Sequence, residues 1–181
     1  MPEITVVTAA YLDSPDKVRW LREAAESILR QSFEGWEWVV VDDASPASPD
    51  LPSDVRIRTV RAHERSGPAK CRNVAAALSR SPAILPLDAD DMLAGTETLE
   101  LLWRTWSQNT DRFVYGDLQL WQDGMGGKVV KFPEYDFVKS LDPKGVVPVS
   151  AVHSLECWHR AGGWKPAFDA GLEDVEFWIS A

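Results

Sequence analysis

The sequence has no hydrophobic run approaching the length of a membrane-spanning helix, and its first residues show no basic segment followed by an apolar one. These absences predict a cytoplasmic chain with no transmembrane segment. Cysteine is scarce: Cys71 and Cys157 stand alone, at a spacing that suits no metal site. They fit reduced thiols, with a single disulfide left open. Positive charge is also in deficit. Lys and Arg total 19 against 28 Asp and Glu, a net charge of −9. That excludes the basic face of a nucleic-acid-binding protein, so no nucleic-acid partner is expected. A nucleotide ligand stays open, because phosphate needs only a local positive site. His63, His153 and His159 lack zinc-site spacing and read as structural or surface residues. No G-x-G-x-x-G follows the first predicted strand and no P-loop occurs, so the dinucleotide and Walker-type sites are excluded. Internal repeats and low-complexity linkers are absent too.

What is present is an ordinary globular composition with one excess. At 181 residues, 45% hydrophobic and 26% charged, the chain can bury roughly 70% of its unfolded surface in a single domain. Nine tryptophans are many for that length. Trp103 and Trp106 fall on one predicted helix face, whereas Trp121, Trp158, Trp164 and Trp178 lie in the later, less regular part. Most read as core and some as platforms for a sugar or other ligand.

Ile4 to Val7 predicts a first strand. Ser14 stands as an N-cap before Pro15, and Val18, Leu21, Ala25, Ile28 and Leu29 recur at helical spacing, so Pro15 to Gln31 predicts an amphipathic helix. Trp36 to Val41 predicts a second strand, Val55 to Val60 an edge strand, and Pro68 to about Arg80 a helix. Ala83 to Leu87 predicts a buried strand. A further helix begins near Thr96, its predicted cap, with Leu99, Leu102, Trp103 and Trp106 as its apolar stripe. Strand and helix alternate, which implies a mostly parallel sheet covered by helices, an α/β fold. The second half is mixed. Strands are predicted at Phe113 to Tyr115, Gln119 to Trp121, Lys128 to Phe132 and Val146 to Val149, with a turn at Asp123 to Gly127. Pro133 to Lys144 reads as irregular. A short helix runs from Ser154 to Arg160, closed by Gly162-Gly163, and Glu173 opens a last helix. The expected organisation is one domain, with residues 1–107 as its α/β half and 108–181 as its mixed half.

The most informative stretch is Ala83 to Asp91, AILPLDADD, where an apolar strand ends in Asp88, Asp90 and Asp91. Clustered carboxylates raise one another's pKa and weaken a fold unless a positive group joins them. A hard divalent cation does so, and Mg²⁺ takes one or two carboxylates plus substrate phosphates. The alternative is a polar loop with Asp91 as a helix cap.

Taken in order, VVTAAYLDSP, WEWVVVDDASP, SGPAKCRNVAAALSRSPAILPLDADDML and GLEDVEFW resemble the family 2 glycosyltransferases of the GT-A fold, across nearly the whole chain. The start departs from the pattern: Ala9-Ala10-Tyr11 stands where many relatives have Pro-Thr-Tyr. The resemblance implies a donor site. Ala9 and Tyr11 would line it, with Tyr11 against the nucleotide base, where stacking contributes roughly 1–3 kcal/mol. Asp43 would accept a hydrogen bond from the base, or else serve as a turn residue. Arg72 would face the nucleotide or its phosphates, or else be a solvated surface arginine; Lys70 is a weaker candidate of the same kind. Asp88 would bond the ribose or reach the metal through water, and Asp90 would ligate Mn²⁺ or Mg²⁺. Asp174, of the Glu173-Asp174 pair, would be the general base of an inverting transfer, or else part of an acidic first helical turn. Asp169 is an outside candidate for acceptor contact.

The implied activity moves a sugar from a nucleoside diphosphate sugar, most often a UDP-sugar, to a hydroxyl of a glycan, a lipid-linked sugar or a small molecule. Residues 1–107 would hold the nucleotide and 108–181 the acceptor. Relatives usually continue beyond the last helix, so a C-terminal truncation is expected. The rival readings are a non-catalytic nucleotide- or glycan-binding domain and a sugar-phosphate nucleotidyltransferase. The latter lacks its Gly-rich, Arg-bearing loop in Thr8 to Ser14.

Overall fold

The computed structural model describes residues 1–122, 125–141, 147–168 and 171–181. Strand β1 (Ile4–Ala10) is buried along its length except at half-buried Ala9, and β2 (Trp36–Asp42) is buried throughout. Both run almost continuously apolar because strands inside a parallel sheet are covered on both faces. β3 (Ile57–Arg61) lies outside β2, and β4 (Ala83–Pro86) lies on the other side of β1. These four are parallel, in the order β3-β2-β1-β4.

Helices cover both faces. On one side α1 (Pro15–Leu29) and α3 (Thr98–Ser107) pack on Ile4, Val6, Trp36, Trp38 and Leu85. On the other, α2 (Pro68–Ala77) packs on Val7, Val39, Val41 and Ile84. That second core is completed by Trp164, Phe177 and Trp178 from the C-terminal part.

Helix α1 begins as its sequence predicts: Ser14 Oγ accepts from Lys17 N, and Pro15 takes the first helical position. Helix α3 does not. It starts at Thr98 rather than Thr96, and the residue at its N-cap, Glu97, makes no side-chain cap bond. Buried Gln31 does that work from the end of α1: its Oε1 accepts from Leu99 N at 3.0 Å and its Nε2 donates to Gly95 O at 2.6 Å. A cap supplied from 68 residues away leaves no local signal.

The second half contributes the antiparallel hairpin of β5 (Leu118–Gln122) and β6 (Met125–Val130). Of the turn predicted over Asp123 to Gly127, Asp123 and Gly124 lie outside the described residues, as does Asp169, and Met125 to Gly127 belong to β6. Phe113 to Tyr115 forms no strand, only a single bridge from Val114 to Val152. Residues 147–149 form no strand either, and Val146 lies outside the described residues. The sheet edge is instead β7 (His153–Ser154), antiparallel to β4. The rest is helical: α4 (Phe137–Ser140), α5 (Leu155–Ala161), a 3₁₀ turn at Pro166–Phe168, and α6 (Glu173–Ser180). Helix α4 falls inside the stretch predicted irregular. Helix α5 is closed as its sequence predicts, by Gly162 at φ 77°, a left-handed conformation that suits glycine; it starts one residue later than predicted, with Ser154 as its cap, Oγ accepting from Cys157 N at 2.9 Å.

Candidate active site

The chain crosses from β3 back over β1 to reach β4, so the order of the sheet reverses between β1 and β4. Open α/β sheets bind ligands at that reversal, outside the carboxyl ends of the strands. A cavity of about 400 Å³ lies there. Ala9, Tyr11, Arg72, Asp88 and Asp90 all line it, joined by Glu173 at the start of α6.

Arg72 is the centre of this arrangement and is only 4% exposed, so it is not a solvated surface arginine. Helix α2 opens at Gly67, whose φ of 88° favours glycine, and Pro68 follows at the first helical position. Its inward face carries Ala69, Cys71, Arg72, Ala75 and Ala76. Arg72 is the one long side chain on that face. Its Nη1 donates to Glu173 Oε1 at 2.7 Å and its Nη2 to Asp88 Oδ1 at 2.5 Å. Burial opposes the guanidinium charge, but Asp88 and Glu173 outweigh it and raise the Arg72 pKa. Charge-assisted bonds of this kind fix both carboxylates in place.

Asp43, after β2, is also buried, at 4% exposure. Its Oδ1 accepts from Ser66 N at 2.6 Å and its Oδ2 from Gly67 N at 3.0 Å. Burial pushes its pKa up, but the N–H groups of Ser66 and Gly67 prevail and hold the carboxyl below its usual range. Asp43 therefore pins the entry to α2, and it does not line the cavity. Its neighbour Asp42 is a structural turn residue, accepting from Ser45 N and pairing with Arg61. The Tyr11 ring carries the Arg65 guanidinium, 3.8 Å from its centroid, and Lys17 Nζ at 5.7 Å.

The carboxylates after β4 are unequal. Asp88 is held by Arg72. Asp90 is exposed and makes no hydrogen bond or ion pair among the described residues. Asp91, whose N–H closes a turn onto Asp88 O, is pushed up to about 6 by burial and then by the Asp88 and Asp90 charges. Among the described residues no three His, Cys, Asp or Glu side chains gather as a cage for a metal ion. The donors present, Asp90 with Asp88 beside it, suit a hard cation that takes few protein ligands and fills its shell from phosphate oxygens and water. A structural cation site would need more.

Asp174 lies in the first turn of α6, half-buried, with Oδ1 accepting from Val175 N at 2.8 Å. Burial is the main cause that raises its pKa. Asp174 does not line the cavity; the adjacent Glu173 does.

Residues 5–143 match the family model described as Glycosyl transferase family 2. The chain belongs to glycosyltransferase family 2. The succinoglycan biosynthesis protein ExoO of Rhizobium meliloti (strain 1021) is 38% identical over 95 residues, 50% of this chain and 26% of ExoO. Residues 1–349 of S. aureus TarS, in complex with UDP, superimpose with a TM-score of 0.76 at 17% identity, over 98% of this chain and 54% of that one. The mannosyltransferase PcManGT from Pyrobaculum calidifontis, in complex with GDP-Man and Mn²⁺, gives a TM-score of 0.67 at 20% identity, over 97% of this chain and 50% of that one. These likenesses establish the GT-A fold. The family 2 chain described here thus spans about a quarter of ExoO and about half of the two structural relatives.

Three features of this family 2 site escape a sequence reading. Glu173 was visible as the partner of Asp174, but nothing local showed that it would face Arg72. Lys17 and Trp20, which also line the cavity, share a face of α1 through their i, i+3 spacing; that signal was present and is shared by any helix. Asn73, next to Arg72, bonds Trp158 Nε1, Trp164 N and Trp164 O. It is a structural anchor for the C-terminal part.

Proposed function

We propose that this chain carries the donor site of a metal-dependent, inverting glycosyltransferase that takes its sugar from a nucleoside diphosphate sugar. The observation that supports it best is the Arg72 bridge. One buried guanidinium orients Asp88, after β4, and Glu173, at the head of α6, around a single cavity. Segments that resemble the donor-binding and base-bearing motifs of the family are thereby adjacent.

In this reading Tyr11 stacks on the base, and Asp43 holds the α2 entry with lone pairs left to accept from a base N–H. Asp88, fixed by Arg72, contacts the ribose or the outer shell of the cation, and Asp90 ligates Mn²⁺ or Mg²⁺. When bound, the cation supplies Lewis-acid neutralisation of the diphosphate leaving group. Asp174 takes the proton from the acceptor hydroxyl as its oxygen attacks the anomeric carbon from the face opposite the diphosphate. Burial raises the affinity of the Asp174 carboxylate for that proton. Residues 108–181 form the acceptor side, for a glycan, a lipid-linked sugar or a small molecule. Mn²⁺ with GDP-Man in PcManGT and UDP in TarS are consistent with this donor chemistry. A cytoplasmic location belongs to the same reading: Cys71 and Cys157 are buried and form no disulfide with each other, and no helix among the described residues is long and apolar enough to cross a membrane.

A thermal-shift screen tests the reading. UDP- and GDP-sugars, each with and without Mn²⁺, should separate a true donor from the rest, because a ligand that binds the native state raises its apparent stability. A shift that requires Mn²⁺ is expected. Absence of a shift with every nucleotide sugar, with or without metal, would overturn the donor site.

A further inference from the structure

The ring of Tyr11 is surrounded by more positive charge than stacking requires. Arg65 lies over it at 3.8 Å and Lys17 stands at 5.7 Å. Lys17 is committed to Asp13, at 2.9 Å. Arg72 is committed to Asp88 and Glu173. Exposed Arg65 makes no direct ion pair among the described residues. Its backbone is nevertheless held, because the next two residues, Ser66 and Gly67, donate their N–H groups to Asp43. The ends of β1 and β2 and the start of α2 thus combine to set a guanidinium against one aromatic ring. A solvated arginine needs no such arrangement.

Resting on the donor reading above, we propose that Arg65 is a further donor-binding residue: the base lies between the Tyr11 ring and the Arg65 guanidinium. A base has two π faces, and Tyr11 covers one. A guanidinium is planar, weakly hydrated and stacks on aromatic faces, which an ammonium does poorly. The long exposed side chain can lift by the thickness of one ring while Asp43 holds its backbone in place.

The test compares the wild-type chain with Arg65→Ala and Arg65→Lys in the presence of Mn²⁺, titrating UDP, uridine and pyrophosphate by calorimetry or NMR. If the wild type prefers GDP, GDP and guanosine take their places. Arg65→Ala should weaken the nucleotide and the nucleoside alike by about tenfold, between the scales of an exposed and a desolvated cation–π contact, and leave pyrophosphate unchanged. Arg65→Lys should recover only part of the loss. A loss for UDP and pyrophosphate but not for uridine would make Arg65 a phosphate cation and overturn the proposal. Unchanged or tighter binding in Arg65→Ala would overturn it as well, the latter by showing that the side chain only blocks the ring. If the wild type binds neither nucleotide, the donor reading falls first and this proposal with it.

Discussion

Arg72 and Glu173, 101 residues apart in the chain, meet at 2.7 Å in the interior. Their contact joins α2, from the first half of the domain, to α6, from the second. Asp88 accepts from the same guanidinium, so three segments share one charge. Removing one member of a buried ion pair leaves the other uncompensated and costs about 3–5 kcal/mol. Arg72 keeps Asp88 as a partner, so Glu173→Leu should lower the urea-unfolding free energy by less than that, on the order of 1–3 kcal/mol. The double variant Arg72→Met with Glu173→Leu should lose less than the sum of the single changes. Strict additivity would show that the two side chains are not coupled.

Asp90 is the predicted metal ligand, and among the described residues nothing bonds its carboxylate. Calorimetry of the preferred nucleoside diphosphate should show tight binding to the wild type only with Mn²⁺ or Mg²⁺. Asp90→Asn should bind with the same weak affinity whether metal is present or absent. A wild type that binds equally well with and without metal would remove Asp90 from this role.

Asp174→Asn should keep nucleotide binding and lose turnover by about 10²–10⁴-fold, the contribution of a positioned base. Burial raises the Asp174 carboxyl above its ordinary value. A base acts when ionised, so activity should climb as pH rises through that raised value. The acid limb of the pH profile should be displaced upward from that of an ordinary aspartate. Residual activity in Asp174→Asn with the same acid limb would assign the base elsewhere.

His153 titrates in the opposite sense. It is fully buried against Trp164, Phe177 and Trp178, and burial pushes its pKa down to about 4 despite a bond to Ala151 O. The unfolded chain protonates this imidazole near pH 6.5, before the folded one does. Stability should therefore be full above about pH 6.5 and decline as pH falls towards 4. The decline should be smaller in His153→Phe, measured as the urea midpoint at several pH values. An identical slope in the variant would exclude His153 as its source.

Gly163 and Gly162 offer a paired test of the anchor at Asn73. Both adopt positive φ, 74° and 77°. A Cβ on Gly163 would stand 2.5 Å from Asn73 Oδ1, whereas one on Gly162 meets nothing within 4 Å. Both alanine substitutions carry backbone strain of roughly 1–3 kcal/mol. Gly163→Ala should be the more destabilising of the two in thermal unfolding, because it also displaces the amide that holds Trp158 and Trp164. Equal losses would show that Asn73 yields without cost.

Sequence alone determined the elements whose causes are local. The apolar runs of β1, β2 and β4, the Ser14 cap, the Gly162 stop and the carboxylates after the AILPL strand all arise from residues a few positions apart. So does the ordered set of motifs that carries the family resemblance. Only the tertiary structure decided which partners the polar side chains take. Arg72 chose two carboxylates, Asp43 chose the start of α2, and Gln31 capped a helix 68 residues away. The strand that joins the sheet beside β4 formed at His153–Ser154, while the predicted strand at residues 147–149 did not form, for the same reason. Helix and strand propensities act over one or two turns of chain. The partner of a buried charge and the neighbour of an edge strand depend on which distant segments the topology brings within hydrogen-bond reach.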